Sequence, residues 1–262
     1  MGNQNEERRK RRRGRKKSKS GGIISTLILI IALGIFGYSG YNLYQIYSGY
    51  QEGDEEYHEL EDIAITMDEQ DNRFRVDFEE LWKINPDIKA WIRFDEPAII
   101  SYPIVQGKDN VEYLTKTISG FENTYGAIFL DVANTATFND TRTLVYGHRM
   151  NSGSMFAKLD EYQDKAFWDR YPNFYIYTPD GSEIKYQIFA SGVIHEASEM
   201  YNSNFSTGEE ILKFINYCKT FAEYDTGVDV KVGDKMVVLS TCTRNSDENR
   251  YVVCGVQREI RE

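Results

Sequence analysis

Cysteine, histidine and proline are scarce in this chain of 262 residues, which holds three, three and five of them. Three cysteines are too few, and odd in number, for a disulfide framework. The cysteines and histidines also lie too far apart in sequence for a compact zinc signature, and no Walker A or dinucleotide-binding motif is present. We therefore expect no metal ion and no cofactor, so that any chemistry rests on side chains alone.

Basic residues are scarce too, except at the N-terminus. Residues 1–19 hold ten Lys and Arg against two Glu, whereas the rest of the chain holds 21 basic and 39 acidic residues, a net charge of -18. Because nucleic acid binding requires a basic face, this acidic body argues against a nucleic acid partner. The basic residues instead precede 21–50, a stretch that contains no charged residue.

This uncharged stretch predicts a membrane anchor, since about 20 apolar residues span a bilayer core. We predict a basic cytoplasmic tail over 1–20 and a transmembrane signal anchor over 21–44. The excess of basic residues before the span places the N-terminus in the cytoplasm and the body outside the cell membrane, which the chain crosses once. A cleaved signal peptide, with Gly37-Tyr38-Ser39 as its cleavage site, is the alternative. The body is exported in both cases.

The exported body is predicted to be mainly β. An acidic linker and N-terminal helical region over 45–76 precedes a domain over 77–262. The domain opens with a short helix that Asp77 caps and that ends before Pro86. Short β-type segments separated by turns follow, at 90–94, 102–105, 127–130, 143–146, 174–178, 184–193, 235–242 and 250–258. Since strands dominate without regular βα alternation, we expect a closed or nearly closed β-barrel with helical decorations.

Two further short helices are predicted. One covers 154–162, and the other follows a capping box formed by Ser206 and Glu209 and ends near Phe221. Cys218 falls on the apolar face of the second helix, so we interpret it as a core cysteine and not as a reactive one.

Cys242 is the candidate nucleophile. It ends an apolar, β-branched strand, where a side chain is released from ladder packing, and Arg250 opens the next strand eight residues later. His148 follows a glycine at the exit of another strand, whereas His58 lies in the acidic segment and no turn singles out His195. A thiolate attacks a carbonyl, an imidazole supplies the proton of a departing amine, and a guanidinium stabilises an oxyanion. The three residue types therefore predict nucleophilic catalysis at a carbonyl.

Cys254 leaves several interpretations open. Strand alternation places it on the same face as Arg250. It is then a thiol near the site, a core cysteine inside the barrel, or the disulfide partner of Cys242. Of these interpretations we favour the barrel interior. A disulfide to Cys242 would remove the nucleophile.

These motifs resemble those of the sortases. The strand Val238-Leu239-Ser240-Thr241-Cys242 is similar to their Thr-Leu-x-Thr-Cys signature, Arg250 matches their arginine, and Tyr146-Gly147-His148 matches their histidine motif. Other segments resemble class B sortases in particular, namely 84–92, 102–110, 126–131 and 155–159. The resemblance covers 77–258. It departs from the family pattern at Val238, where threonine is usual, at Arg149, where class B members commonly have asparagine, and at Cys254, where histidine or another residue is familiar.

The resemblance implies a closed sortase-type β-barrel of about eight strands in a membrane-anchored cysteine transpeptidase of Gram-positive bacteria. Such an enzyme cleaves a C-terminal sorting signal of a secreted protein, in class B of the Asn-Pro-x-Thr type, and holds the acyl part as a thioester. It then passes the acyl group to an amine of the peptidoglycan precursor. By this resemblance Cys242 is the nucleophile, His148 the general acid and later the base, and Arg250 the stabiliser of the oxyanion or substrate backbone. Ser240 and Thr241 are the expected substrate contacts.

Alternatives to this activity remain open at this point. A pilin-polymerising sortase uses the same chemistry, and a hydrolase with the same triad would release the acyl group to water. An inactive surface-anchored binding module could keep the barrel without the reaction. Composition does not specify the loop expected to select the signal, 196–206, and Arg244 is a second arginine near the nucleophile.

Overall fold

The computed structural model describes residues 19–67, 73–94, 100–201, 205–243, 246 and 248–261. All but the last two residues of the predicted basic tail lie outside this set, as does Arg244. The chain divides into two compact units, Met1–Ser48 and Gly49–Glu262.

The first unit contains the N-terminal part of helix α1, which runs from Lys19 to Ala64. Every residue from Ile24 to Tyr47 is exposed, although most are apolar. Within the described part of the chain, α1 is the one helix that is long and apolar enough to cross a membrane. Such a helix is compatible with a membrane anchor, because its side chains would otherwise expose a large apolar surface to water.

The second unit begins with the C-terminal part of α1, which we call the 49–64 segment. The buried residues of this acidic segment are Gly53, Tyr57, Leu60 and Ala64, which recur every three or four positions. This spacing puts them on one helix face, which packs into the main core. The predicted acidic linker is therefore helical over this stretch. The short antiparallel pair β1 Ile65–Met67 and β2 Phe74–Val76 follows, which the sequence pattern did not predict.

A closed barrel forms the centre of the second unit, and the prediction of about eight strands is confirmed. Its strands within the described residues are β3 Ile88–Phe94, β4 Ser101–Val105, β5 Ile128–Leu130, β6 Arg142–Tyr146, β7 Asn173–Tyr177, β8 Glu183–His195, β9 Met236–Cys242 and β10 Asn249–Arg261. Their order around the barrel is β10-β8-β7-β3-β4-β5-β6-β9. The pairs β4–β5 and β6–β9 are parallel, and the other neighbours are antiparallel. The last two strands of the chain, β9 and β10, pair with each other, as predicted.

Short helices decorate the barrel. Helix α2, Phe78–Ile84, begins after Asp77, whose carboxylate accepts hydrogen bonds from two backbone N–H groups, as predicted. Helix α3 is Lys165–Arg170 and helix α4 is Gly208–Phe221, with 3-10 helices at Glu112–Leu114, Phe156–Gln163 and Glu199–Tyr201. The helix predicted at 154–162 is thus a 3-10 helix. Its large buried side chains, Phe156, Leu159 and Tyr162, are three residues apart, which is the period of a 3-10 helix, and Ala157 is buried beside them.

The capping box of α4 lies one residue later than predicted. The Thr207 hydroxyl accepts a hydrogen bond from the Glu210 N–H, and the Glu210 carboxylate accepts one from the Thr207 N–H. The run Ser206-Thr207-Gly208-Glu209-Glu210 contains two hydroxyl–carboxylate pairs at the required spacing, so the sequence alone does not fix the register.

Replacing Thr207 with alanine is expected to lower the free energy of unfolding by about 1 kcal/mol, because the side chain satisfies an N–H at the helix start. Urea denaturation of the full chain in detergent measures this change. The matched control is Ser206→Ala, which removes a neighbouring hydroxyl that does not cap the helix and should leave the midpoint unchanged. A larger loss in Ser206→Ala than in Thr207→Ala would contradict the assigned cap.

The two faces of β9 and β10 pack in different cores. Leu239, Val253 and their alternate neighbours lie in the main core, whereas Val238 and Cys254 lie in a second core with Cys218 of α4. Because α4 covers the outer face of the sheet, the interpretation of Cys254 as a barrel-interior cysteine is wrong. The core position predicted for Cys218 is confirmed. Burial raises the pKa of the Cys254 thiol well above its ordinary value, and the neighbouring Cys218 adds to this effect.

A disulfide between Cys242 and Cys254 is also wrong. Cys254 pairs with Val238, four residues before Cys242 on β9. Four residues of a strand span about 13 Å, whereas disulfide-bonded residues have Cα atoms at most about 7 Å apart. All three cysteines are free, and only Cys242 is exposed.

Candidate active site

Parallel pairing of β6 and β9 brings His148 and Cys242 to the same edge of the barrel. Tyr146 and Ser240 are register partners, and the Gly147 N–H donates to the Ser240 carbonyl at 3.1 Å. His148 and Cys242 each lie two residues beyond this matched pair. Every second side chain of a strand lies on the same face, and neighbouring strands lie about 5 Å apart. The side chains of His148 and Cys242 therefore lie on the same side of the sheet and close to each other.

Arg250 lies beside Cys242 on the other neighbouring strand. The two residues are register partners in the antiparallel pair β9–β10. Directly opposed residues in such a pair have Cβ atoms roughly 5 Å apart on one face. Cys242 therefore lies between the strand carrying Arg250 and the strand leading to His148, as the sequence pattern suggested for the thiol and the guanidinium.

These side chains line one groove with a volume of about 310 Å³. Its lining residues are Asn110, Leu114, Phe129, Tyr146, Gly147, His148, Ser240, Thr241, Cys242 and Arg250. All five residues named from the sequence as candidate catalytic or substrate contacts are among them. Of the three histidines, His148 is the one that lines the groove, while His195 lies near Glu248 and His58 near Asp54 on α1.

The imidazole of His148 is held by the backbone of a neighbouring loop. Its Nε2 lies 2.6 Å from the Leu114 carbonyl oxygen. A carbonyl can only accept a hydrogen bond, so Nε2 carries a proton in this arrangement and Nδ1 is the nitrogen that can gain or lose one. The His148 carbonyl accepts from the Phe156 N–H at 2.9 Å. Both the ring and its backbone are thus fixed.

Gly126 leaves space for this imidazole. Its φ of +61° lies in the left-handed region that favours glycine, and a Cβ there would come within 2.7 Å of His148 Cδ2 and 2.8 Å of the Leu114 oxygen. The close approach means that the ring packs directly against bare backbone. Sequence reasoning missed the roles of Leu114 and Gly126, since a backbone carbonyl and a missing side chain leave no chemical signature.

Replacing Gly126 with alanine is expected to lower kcat for peptide cleavage by about tenfold or more, because the new methyl group displaces the imidazole. The matched control is Gly120→Ala, since Gly120 also has a positive φ of +81° but no atom within 4 Å of a built Cβ. Both variants should lose roughly 1 kcal/mol of stability from backbone strain, and Gly126→Ala should lose more, because its Cβ would lie within 3 Å of the Leu114 and Tyr113 carbonyl oxygens. Equal activities in the two variants would show that His148 does not depend on the space at Gly126.

Arg250 is oriented by an ion pair. Its Nη2 donates to the Glu196 carboxylate at 2.8 Å, and Nη1 donates to the Asn249 carbonyl at 3.1 Å. The Arg250 side chain is 24% exposed and lines the groove. Glu196 begins the loop that was expected to select the signal. In the structure its carboxylate orients the guanidinium of Arg250.

Ser240 and Thr241 differ in how they meet the groove. Ser240 lies on the same face as Cys242, and its hydroxyl is 2.9 Å from the Tyr201 hydroxyl. Burial raises the pKa of Tyr201 to about 12, so this phenol is neutral and can donate. Thr241 alternates to the opposite face, where its buried hydroxyl has no hydrogen-bond partner among the described residues. Ser240 is the better placed of the two for a side-chain contact with a substrate.

The far wall of the groove is a polar network that sequence reasoning did not assign. Asp131 is buried and accepts hydrogen bonds from Tyr146 Oη at 2.8 Å and Asn110 Nδ2 at 3.0 Å. Burial, and then the hydrogen bond to Asp131, raises the pKa of Tyr146. The network fixes the groove wall, since the buried carboxylate is satisfied by donors from two separate parts of the chain.

The arginine that departs from the class B pattern has a structural partner. Arg149 Nε donates to Asp160 Oδ2 at 2.6 Å, and both side chains are largely buried. A charged hydrogen bond of this kind anchors the residue after His148 to the 3-10 helix that follows. The departure therefore adds a support for the histidine loop.

Comparison with known proteins agrees with this geometry. The sortase domain family matches residues 96–258. Sortase B of Listeria monocytogenes serovar 1/2a is 33% identical over 185 residues, which cover 69% of this chain and 74% of the relative. The structure of sortase B from B. anthracis has a TM-score of 0.71 at 30% identity and covers 82% of this chain and 100% of its own. A Staphylococcus aureus sortase B–substrate complex has a TM-score of 0.64 at 27% identity, with 70% and 84% covered.

The barrel and the thiol–imidazole–guanidinium groove thus define a cysteine transpeptidase that processes sorting signals, and the chain belongs to the sortase family. Within that family it is a class B sortase, as its curated relatives and structural neighbours are. The resemblance noted from the motifs is confirmed.

Proposed function

We propose that Cys242, His148 and Arg250 carry out the transpeptidation of this sortase. The observation that supports this assignment most strongly is their meeting in one groove from three separate strand ends. Cys242 reacts as a thiolate beside a protonated His148: Sγ attacks the scissile carbonyl and forms the C–S bond, while Arg250 stabilises the oxyanion of the tetrahedral intermediate. The amide C–N bond then breaks as His148 gives a proton to the departing amine, which leaves a thioester on Cys242.

The second half of the reaction reverses these roles. An incoming amine attacks the thioester carbonyl, His148 takes the proton from the attacking nitrogen, and the C–S bond breaks to restore the Cys242 sulfur. Arg250 again faces the developing oxyanion. Ser240 contacts the substrate beside the scissile bond through its side chain, a contact that the hydroxyl pair formed by Ser240 and Tyr201 supports. Thr241, whose side chain faces the other way, contacts it through the backbone that lines the groove.

The proposed donor is a secreted protein with a C-terminal sorting signal of the Asn-Pro-x-Thr type. A relative has been solved as a sortase B–substrate complex, which supports an acyl donor bound in this groove. The proposed acceptor is an amine of the peptidoglycan precursor, and another relative has been solved as sortase B complexed with triglycine. A short glycine peptide carries the kind of free amine that this step requires.

We also propose a placement in the membrane. The basic tail 1–20 lies in the cytoplasm, the signal anchor 21–44 crosses the membrane once, and the helical region 45–76 leads to an extracellular catalytic domain over 77–262. The charge asymmetry around the uncharged span supports this orientation. The exposed apolar helix of the first unit supports the span itself.

Mass spectrometry of reaction products tests the function. The full chain in detergent is incubated with a library of peptides that vary around Asn-Pro-x-Thr, with and without triglycine. We expect cleavage of a restricted set of peptides and a new amide bond to triglycine. Free acid as the sole product, even at high triglycine concentration, would instead assign a hydrolase. Cleavage without sequence preference would contradict the sorting-signal proposal.

A further inference from the structure

The 49–64 segment of α1 contacts the loop that holds His148. The Tyr57 hydroxyl donates a hydrogen bond to the Gly126 carbonyl at 2.9 Å, from a side chain that is 5% exposed. Its ring stacks on Tyr125, with ring centroids 5.7 Å apart and an angle of 26°. Gly126 is the residue whose bare backbone packs against the imidazole of His148. A buried tyrosine on α1 thus binds the residue that packs against the imidazole of His148.

Asp54 of the same segment joins two loops. Its Oδ1 accepts hydrogen bonds from the Tyr125 hydroxyl at 2.9 Å and from the Ser154 hydroxyl at 3.0 Å. Tyr125 precedes Gly126, whereas Ser154 belongs to the loop that starts at His148. A single carboxylate oxygen on α1 therefore ties the loop on one side of the imidazole to the loop that carries it.

Further contacts extend the same attachment. The Glu56 carboxylate accepts from the Ser119 N–H at 2.7 Å, and the Gly49 carbonyl accepts from Asn123 Nδ2 at 2.9 Å. Tyr57 also packs edge-on against Tyr102, whose hydroxyl accepts from the Met155 N–H at 3.0 Å. The Glu56 and Gly49 contacts end in the loop 113–126, and Tyr57 reaches the loop 148–156 through Tyr102 of β4. Several residues of the segment therefore attach to the same two loops.

These two loops determine where the imidazole lies. Leu114 supplies the carbonyl bound to Nε2, and the Ala127 N–H donates to the Tyr113 carbonyl at 3.0 Å, which closes the first loop behind the ring. The Phe156 N–H donates to the His148 carbonyl and closes the second loop. A shift in either loop would move the ring relative to Cys242, which is fixed on β9.

The two tyrosine donors remain protonated at ordinary pH. Burial raises the pKa of Tyr57 well above its usual value, and burial likewise raises the pKa of Tyr125. Both phenols therefore keep the proton that they donate to Gly126 and Asp54.

We propose that the 49–64 segment is part of the catalytic apparatus, with Asp54 and Tyr57 as positioning residues that set the imidazole of His148 against Cys242. This inference rests on the proposed function, since it assumes that His148 exchanges the proton in the reaction. The helix that leads from the anchor to the barrel then has a role in the rate of the chemical step, beyond that of a spacer.

The test compares Tyr57→Phe and Asp54→Ala with a matched control in the full chain in detergent. Tyr162→Phe is the control, because Tyr162 is fully buried and its hydroxyl also donates to a backbone carbonyl, that of Tyr171 at 2.7 Å. We measure kcat and KM for a cleaved peptide, the thermal midpoint, and the ring resonances of ¹³C-labelled histidine. Variants of His58 and His195 assign the three histidine signals.

We expect both α1 variants to lower kcat about tenfold with KM changed less than about twofold, and to shift the His148 resonances. The control should show a similar fall in the thermal midpoint while keeping kcat and the His148 signals. If Tyr57→Phe and Asp54→Ala behave like Tyr162→Phe in all three measurements, the segment is merely structural and the positioning role is overturned.

Cys242→Ala, measured in parallel, separates this outcome from a failure of the proposed function. Loss of turnover in Cys242→Ala together with silent α1 variants would overturn the positioning role alone. Full turnover in Cys242→Ala would overturn the proposed function, and the positioning role with it. Asp54→Ala removes the shared acceptor at a half-exposed helix position where alanine is well tolerated, so it keeps the test decisive should Tyr57→Phe fold poorly.

Discussion

Cys242→Ala is expected to reduce peptide cleavage by a factor of roughly 10³ or more and to abolish transfer to triglycine, since loss of an attacking nucleophile commonly costs that much. The sulfur is the atom that forms the covalent bond to the substrate, and no other cysteine is placed to replace it. Cys242 is exposed at the end of β9, whereas Cys218 and Cys254 are buried in the core that α4 covers. The measurement is kcat/KM for a cleaved peptide, with intact-protein mass spectrometry for the thioester.

The two other cysteines supply matched controls. Cys218→Ala and Cys254→Ala remove the same number of atoms from thiols that do not touch the groove. They should keep kcat/KM within about threefold and lose at most a modest amount of stability, in the range usual for small core truncations. If the wild-type protein gains the mass of the acyl group and Cys242→Ala does not, the thioester forms on Cys242. Acylation of Cys242→Ala would place the nucleophile elsewhere.

The arrangement of Cys242 and Arg250 could be predicted from local sequence. Two adjacent apolar runs separated by a short loop form an antiparallel pair, and strand alternation then fixes which residues share a face. The position of His148 is different, because it depends on parallel pairing of β6 with β9, two strands that are distant in sequence. Spacing gives no register for such a pair. Only the resemblance of this histidine motif to that of the sortases predicted that His148 lies beside Cys242.

The interpretation of Cys254 failed for a related reason. Alternation correctly gave it the same face as Arg250, but the choice between the inside and the outside of the barrel needs knowledge of what covers the outer face. Helix α4 buries that face as fully as the interior, so β9 and β10 are apolar on both sides. A strand buried on both faces loses the alternation that would otherwise show its orientation.

The 49–64 segment shows how composition can hide packing. Seven carboxylates between Glu52 and Asp62 indicate a solvated stretch, and most of them are indeed exposed. The stripe formed by Gly53, Tyr57, Leu60 and Ala64 is the signal that was available, since its spacing is helical. What it packs against could not be predicted, because Tyr57 and Asp54 bind a backbone carbonyl and hydroxyls from loops distant in sequence.

His148→Gln is expected to lower kcat/KM for peptide cleavage by roughly 10² to 10⁴, the usual contribution of a positioned acid or base. Glutamine can keep a donor near the Leu114 carbonyl but cannot exchange a proton, so the variant separates the hydrogen bond from the acid–base role. His195→Gln is the matched control, because His195 lies outside the groove lining and should keep full activity.

The role of His148 as a proton donor predicts a further contrast between two acyl donors. An amine must be protonated as it leaves, whereas the leaving group of an activated ester departs as an anion without that proton. Acylation of Cys242 by such an ester should therefore fall much less in His148→Gln than cleavage of the peptide does. Equal losses with both donors would contradict proton donation to the leaving group and would place the action of His148 on the Cys242 thiol instead.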